Sequence, residues 1–298
     1  MRKGIALLIT LMFVMIISVA IGYGLSQMKQ ASKIVQNEDL IYKSSMVLND
    51  VLTILKTSPD VNRLADENSS ADLYTFFQTA EYLPLELANE KVIISLKSAR
   101  SKLNINLLNK KNENLFRNYF NRYMVGSSYV DILKECMRKN QAKDEYNNYS
   151  SRLFDEHPTL FRDYIASKAH LEKINAFYIK EYGDTNLKVV PFDELFDYRA
   201  DLNELIDLNY ATAAVWQLIL DSSKERAEIL AQGAGSYESL KDLNLTPQEK
   251  INISKFKTTF FAPYILVNIE IIRQESVSKI AFVYDIKLKR GYDFVFEV

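Results

Sequence analysis

The chain opens on an unbroken apolar run. No charged residue lies between Ile5 and Leu25, which is about the length a helix needs to cross a bilayer. Arg2 and Lys3 precede the run, and Lys29 and Lys33 follow it. The basic flank in front favours a cytoplasmic N-terminus, although the later lysines reduce the asymmetry. The bulk of the chain is then expected outside the cytoplasm. From Gln27 to Lys56 the pattern changes: Ile34, Ile41, Val47, Leu48, Val51, Leu52 and Leu55 recur at threes and fours. This spacing predicts an amphipathic continuation of the same helix, ending near Thr57-Ser58-Pro59. A helix of about fifty residues would be about 75 Å long.

Beyond Pro59 the polar stretch Arg63 to Ala71 reads as a loop or short helix. Val92, Ile94 and Leu96 alternate with Ile93, Ser95 and Lys97, which predicts a strand. The asparagines of Asn104 to Asn109 suit a turn after it. From about Leu107 to Ile253 the pattern is helical. The expected helices are Asn114 to Tyr123, Ser128 to Lys139, Pro158 to Tyr182, Pro191 to Phe196, Leu202 to Ile206, Ala211 to Leu220 and Ser222 to Gln232. Gly233 to Gly235 ends the last of these. Thr246 before Pro247 is an N-cap signal with proline at the first helical position. At the C-terminus the period becomes two. Ile265, Val267, Ile269 and Ile271 alternate with Tyr264, Leu266, Asn268, Glu270 and Ile272. Two more strands are expected at Ser278 to Lys289 and Tyr292 to Val298, with a tight turn at Arg290-Gly291. Such a meander must cover something apolar, and the amphipathic half of the first helix is the candidate. The fold class is therefore α+β: a long N-terminal transmembrane helix, a C-terminal antiparallel β-meander and a large inserted α-helical domain.

Composition narrows the function. The 298 residues are 48% hydrophobic with a formal net charge of -1, so nucleic acid is not an expected partner. Cys136 is the single cysteine; it forms no intrachain disulfide and reads as a small core residue. His157 and His170 lack metal-ligand spacing and read as surface residues. There is no glycine-rich phosphate loop, nucleophile triad or metal motif, so the chain reads as a non-enzyme. The 18 Tyr and 16 Phe read as core filling between short helices. The pair Asp193-Glu194 reads as helix N-terminal charge.

The leader adds a second signal. A cleaved signal peptide fits poorly, because Ser18-Val19-Ala20 is followed by further apolar residues. Met1-Arg2-Lys3-Gly4 is a short basic leader ending in glycine, with the apolar run immediately behind it. Prepilin peptidases cut such leaders and leave the helix in place, which puts the cut between Gly4 and Ile5.

These elements in this order resemble the minor pseudopilin K of type II secretion systems, the general secretion pathway protein K family. Gly4-Ile5-Ala6-Leu7-Leu8 is similar to the family's cleavage and start motif. The fifth mature residue is Ile9, where most pilins carry glutamate and the K type does not. Leu83-Pro84-Leu85-Glu86 with the strand behind it, and Lys102-Leu103-Asn104-Ile105-Asn106, resemble the family's first strand and its F-N-L-N segment. Asp201-Leu202-Asn203 through Ala214 stands in the place of I-N-V-N-T-A, in a degenerate form. Gly235 to Leu240 and Leu243 to Thr246 resemble its F-x-S-x-x-E-F and L-x-G-L-S elements.

The resemblance implies a pilin-like fold. Its parts are a leader 1–4, a helix 5–58 (membrane segment 5–25, stalk 26–58), a β subdomain of 59–106 and 254–298, and a helical insertion 107–253. It implies a single-pass protein of the bacterial inner membrane with its bulk in the periplasm. The implied partners are minor pseudopilins of the I and J types and the prepilin peptidase. K-type proteins can bind calcium near acidic loops. Here the corresponding acidic stretch falls at Lys134-Glu135-Cys136-Met137, without the aspartates. Asp144 and Glu145, near Asn147 and Asn148, could supply oxygen ligands, and a solvated loop is the preferred reading.

Three other readings stay open. A minor pilin of a type IV pilus or competence system shares the leader but normally keeps the glutamate. A signal-anchored sensor or binding domain would make Gly4 coincidental. A membrane-anchored hydrolase would need a catalytic constellation.

Overall fold

A computed structural model describes residues 41–297, except 68, 81, 88–89, 138–150, 201–202 and 274–275. The expected leader (1–4), the expected membrane segment (5–25) and residues 26–40 of the expected stalk lie outside the described residues, as does Val298.

The first described helix, α1, spans residues 41–57. Ser44, Val51 and Leu55 are buried, and Val47, Leu48 and Leu52 pack partly buried beside them. This is the three-and-four spacing of the sequence, so one face of the stalk is committed to a core. Pro59 does not end the helical path. It is the first residue of α2 (Pro59–Glu67), a position that needs no amide hydrogen. The Ser58 hydroxyl accepts from Val61 N at 3.4 Å, and the Ser58 amide still donates to Ile54 O at 2.8 Å. Helix α3 (Ser70–Ala80) follows and buries Leu73, Phe77 and Ala80. The polar stretch Arg63 to Ala71 is thus the end of one helix and the start of the next.

Nine strands are found among the described residues: β1 (Leu83–Leu87), β2 (Glu90–Ser98), β3 (Leu103–Asn104), β4 (Phe196–Asp197), β5 (Ile206–Asp207), β6 (Thr258–Thr259), β7 (Tyr264–Arg273), β8 (Ser276–Asp285) and β9 (Arg290–Glu297). Five form an antiparallel sheet in the order β1-β2-β7-β8-β9. Its inner face buries Val92, Ile94, Leu96, Ile265, Val267, Ile269, Ile271, Ile280 and Phe282 against Val51, Leu55, Leu64, Leu73 and Phe77. The period-two alternation of β2 and β7 is therefore the division between core and surface.

The turn between β8 and β9 differs from the expected one. It lies at residues 286–289, where Asp285 accepts from Leu288 N at 2.9 Å and Lys289 has φ 51. Arg290 and Gly291 already belong to β9 and pair with Asp285 and Tyr284. Gly291 is needed for another reason. A Cβ there would stand 2.8 Å from Phe294, 3.0 Å from Leu52 and 3.2 Å from Phe282. The missing side chain lets α1 lie close on the sheet.

The second core is helical. It gathers α4 (Glu113–Arg122), α5 (Ser128–Cys136), α6 (Leu153–Glu156), α7 (Lys168–Tyr182), α8 (Phe192–Leu195), α9 (Ala213–Leu220), α10 (Lys224–Gln232) and α11 (Pro247–Ile253) around Trp216, Phe116, Phe120, Tyr129 and Tyr178. Three expected helices are corrected. The segment expected as Pro158 to Tyr182 becomes helical only at Lys168, behind an N-cap by Ser167. The preceding residues are held open by Asn106, whose amide accepts from Ile165 N at 2.8 Å and donates to Ile165 O at 3.0 Å. Asn203 to Ile206 is not helical either. Ile206 enters β5, its amide donating to Lys257 O at 3.0 Å, and β5 runs parallel to β6. Phe196 likewise leaves α8 for β4 and pairs with Leu103 of β3. The cap at Thr246 stands as a full capping box with Glu249.

Two outcomes are expected from these local devices. Gly291→Val should lower unfolding free energy by about 1–3 kcal/mol through overpacking against Leu52 and Phe282. Thr246→Ala should cost about 1 kcal/mol through loss of the cap. Denaturant titration of the full chain followed by near-ultraviolet circular dichroism checks both. Wild-type stability in Gly291→Val would exclude the close approach of α1.

Candidate functional site: the junction and the exposed faces

The residues singled out in the N-terminus, Gly4, Ile5 and Ile9, lie outside the described residues, and so do Asp144, Glu145, Asn147 and Asn148. Among the described residues no helix is long and apolar enough to cross a membrane. Among them, too, no group of three or more His, Cys, Asp or Glu could hold a metal ion. Cys136 is fully buried, and the Glu135 carboxylate accepts from Ser151 N at 2.9 Å. Burial pushes the Cys136 thiol up to about 12, which leaves it unreactive at neutral pH. His170 is not a surface residue. It is 7% exposed, its Nδ1 accepts from Ala166 N at 3.3 Å, and burial with the nearby Lys173 lowers its pKa. Its place on the first turn of α7, behind Ser167, turns the ring inward. His157 is half-buried.

The structure gathers its polar residues where the sheet meets the helical unit. Ala99 N donates to Tyr264 O at 2.9 Å and closes the two chain crossings. Arg100, one residue on, pairs with Glu204, donates to the Tyr292 hydroxyl at 3.2 Å and lies 4.5 Å over the Tyr264 ring. Arg199 pairs with the same Glu204 oxygen at 3.0 Å and donates to Ala99 O at 2.8 Å. The side chains of Arg100, Arg199 and Glu204 are all 10% exposed or less. A carboxylate shared by two guanidiniums at that depth is stable only when every partner is present.

A second polar set lies beside it. Asn104 and Asn106 both donate to Arg199 O, at 2.9 and 3.0 Å. Asn209 is fully buried. It donates to Tyr237 O at 2.8 Å and Phe260 O at 2.7 Å, and accepts from Tyr237 N at 3.0 Å. Asp207, also fully buried, accepts from Asn209 N at 3.0 Å and from Ala262 N at 2.7 Å. Burial pushes its carboxyl up to about 7, against the pull of those two backbone hydrogen bonds. Gly235, with φ 80, completes the junction: a Cβ there would strike the Tyr74 ring of α3 at 2.4 Å. The sequence pattern did not single out Arg100, Glu204 or Asp207 for this role. The one signal available was a polar residue between apolar neighbours, as in Leu103-Asn104-Ile105-Asn106 and Ile206-Asp207-Leu208-Asn209.

The exposed faces carry apolar side chains. On α1 these are Ile41, Tyr42, Met46 and Ile54, and on the edge strand β9 they are Phe294, Val295 and Phe296. The outer face of the sheet forms a groove of about 530 Å³ with Lys97, Glu270, Lys279 and Glu297 along it. These surfaces offer packing and strand-edge hydrogen bonds. The junction offers fixed orientation.

A helix laid on an antiparallel sheet, with a helical unit inserted between two neighbouring strands, defines an α+β protein. The same fold occurs in a solved structure, the GspK-GspI-GspJ complex from the type 2 secretion system of enterotoxigenic Escherichia coli. The likeness covers 88% of this chain and 99% of the matched chain, with a TM-score of 0.60 and 10% identity. No protein-family model and no curated protein matches. The resemblance carried by the motifs is thus present in the fold.

The junction yields a pH dependence. Asp207 has its folded pKa raised to about 7, so its contribution to stability is full below the unfolded value near 4 and is lost as pH rises through about 7. Relative to Asp207→Asn, the wild type should lose up to a few kcal/mol between pH 4 and pH 8, since each tenfold change in an ionisation constant is worth about 1.4 kcal/mol. Denaturant midpoints of the two proteins across that range measure it. A gap that does not change with pH would show that Asp207 is ionised throughout.

Proposed function

We propose that this chain is a minor pseudopilin of a type II secretion system that joins minor pseudopilins of the I and J types at the pseudopilus tip and supports protein export. The observation that carries this reading is the shared fold with a chain of the GspK-GspI-GspJ complex, over 99% of that chain. The N-terminal sequence agrees with it. Gly4 and Ile5 form the expected prepilin peptidase site, and the segment 5–25 anchors the chain in the inner membrane with its bulk in the periplasm. Ile9 replaces the glutamate of ordinary pilins. A carboxylate in lipid is costly unless paired, and in fibres that glutamate is thought to pair with a neighbour's N-terminal amine. A subunit with Ile9 has no such cost and needs no such partner, which suits the end of a fibre. The helical unit supports the same position, because its bulk would obstruct stacking above it. The work is assembly rather than catalysis.

Co-expression with a prepilin peptidase, followed by mass analysis of the N-terminus, tests the reading. The mature chain should begin at Ile5. An intact Met1, or a cut beyond Ala20, overturns it. Capture of the processed chain by I- and J-type minor pseudopilins should follow. Capture by pilus minor pilins alone would favour the type IV pilus alternative.

A further inference from the structure

We propose that the junction between the sheet and the helical unit is a hinge latched by Asp207. While the carboxyl is protonated the junction stays closed and dry; its ionisation lets both chain crossings open with the sheet and the helical unit still folded. What pH changes first is therefore the tie between the two units, ahead of either core. The latch is a property of this chain's own residues and does not depend on the fibre-subunit reading.

Position comes first. The chain leaves the sheet past Arg100 and returns to it past Ala262, and Asp207 is bound to both crossings. Its amide donates to Arg100 O at 3.0 Å, and its Oδ2 accepts from Ala262 N at 2.7 Å. Its Oδ1 accepts from Asn209 N at 3.0 Å. On either side of it, Ile206 N donates to Lys257 O and Leu208 N to Thr259 O. Displacing Asp207 therefore loosens the way out and the way back together. The surface is close along the chain: Leu205 is 43% exposed, and Asn203 is exposed as well. A short displacement of residues 205–207 brings water to the carboxyl.

Charge comes second. Asp207 has no exposed surface, and among the described residues no cation pairs with it. The charged groups around it are engaged elsewhere. Arg100 pairs with Glu204, which Arg199 shares. Lys257, ahead of β6, donates to Asn203 at 2.8 Å, and Lys287 lies over the Phe261 ring. Burial, then the charge of Asp207, holds the Tyr210 phenol above its ordinary range, so it stays neutral; Tyr74 of α3 stacks on it. Burial raises Tyr237 likewise. Two backbone amides are thus the compensation for an ionised Asp207, and burial without a counter-charge favours the neutral form up to about 7. Opening returns the carboxyl to water, where it passes its proton to solvent at a pKa of about 4. The open form releases a proton that the closed form holds, so opening grows easier between those two values and then levels off.

Amide hydrogen exchange of the full chain in neutral detergent, read by NMR and divided by the intrinsic rate at each pH, measures the opening. The amides of Ala99, Asp207 and Ala262 should lose protection together, about tenfold per pH unit between about 4.5 and 6.5, and level off above about 7. Amides inside the two units, Val267 and Ile269 of β7 and Leu218 and Ile219 of α9, should stay at least about tenfold better protected throughout, since they need the units themselves to unfold. Asp207→Asn should remove the slope at the junction. Flat protection at Ala262 in the wild type overturns the latch, and so does an equal slope in Asp207→Asn. Protection at the junction equal to that inside the units would mean global unfolding rather than a hinge. A slope at Ala262 without one at Ala99 would mean that the crossings do not open together, which also sinks the proposal. The wild-type results decide these last two points whether or not Asp207→Asn folds.

Discussion

Strand β2 pairs antiparallel with β7 from Lys91↔Ile272 to Ser98↔Ile265. Residues 91–98 and 265–272 are therefore neighbours in one sheet, and everything between them must leave and return at one point. That constraint organises the rest of the molecule. It forces the helical unit to be an insertion with both ends at the same end of the β2–β7 pair. It also makes the sheet depend on contacts far apart in sequence, so the inner face must be complete before either strand gains from pairing. The face is completed by α1, α2 and α3, whose buried side chains supply the other half of that core.

An insertion with both ends at one point is free to swing unless something else holds it. Apolar packing alone would hold it weakly, because hydrophobic contact is non-directional. The junction uses directional contacts instead. Arg100 leaves the end of β2, and Arg199 and Glu204 come from the helical unit, so one shared carboxylate connects both sides. Asn209 and Asp207 fix the chain on its way to β7 through Phe260 and Ala262. Each of these groups is buried, so each contact must be kept: removing one partner of such a set typically costs about 3–5 kcal/mol. The result is a helical unit whose orientation is set relative to the stalk.

Those parts of the fold that follow from neighbours in sequence were legible in it. The face of α1 is written in Val47, Leu48, Val51, Leu52 and Leu55. The alternation of β7 is written in its own isoleucines and valines, and the start of α11 in Thr246-Pro247. What was not legible depends on residues that meet only after folding. The late start of α7 follows from Asn106, 59 residues before Ile165 in the chain. Ile206 is drawn into a strand by Lys257 O, with Leu208 N donating to Thr259 O two residues on. Gly291 looks like a turn glycine until Leu52 is laid against it. His170 looks like a surface residue because its burial depends on the segment before α7. The junction was invisible for the same reason, since no local period marks a polar residue chosen for a distant partner.

The distribution of polar and apolar groups follows the same division between junction and surface. Asp207, whose carboxyl burial pushes up to about 7, has both oxygens occupied by backbone amides, and Glu204 is occupied by two arginines. These groups hold the structure together. Meanwhile apolar side chains that a core would normally take remain outside: Tyr42 and Met46 on the stalk, Phe294 and Phe296 on the edge strand. Phe294 already stacks on Phe282 at 5.2 Å, so the inner face of the sheet continues past α1 into solvent. The buried junction sets the direction of the helical unit, while α1 and the edge strand β9 carry the exposed apolar side chains.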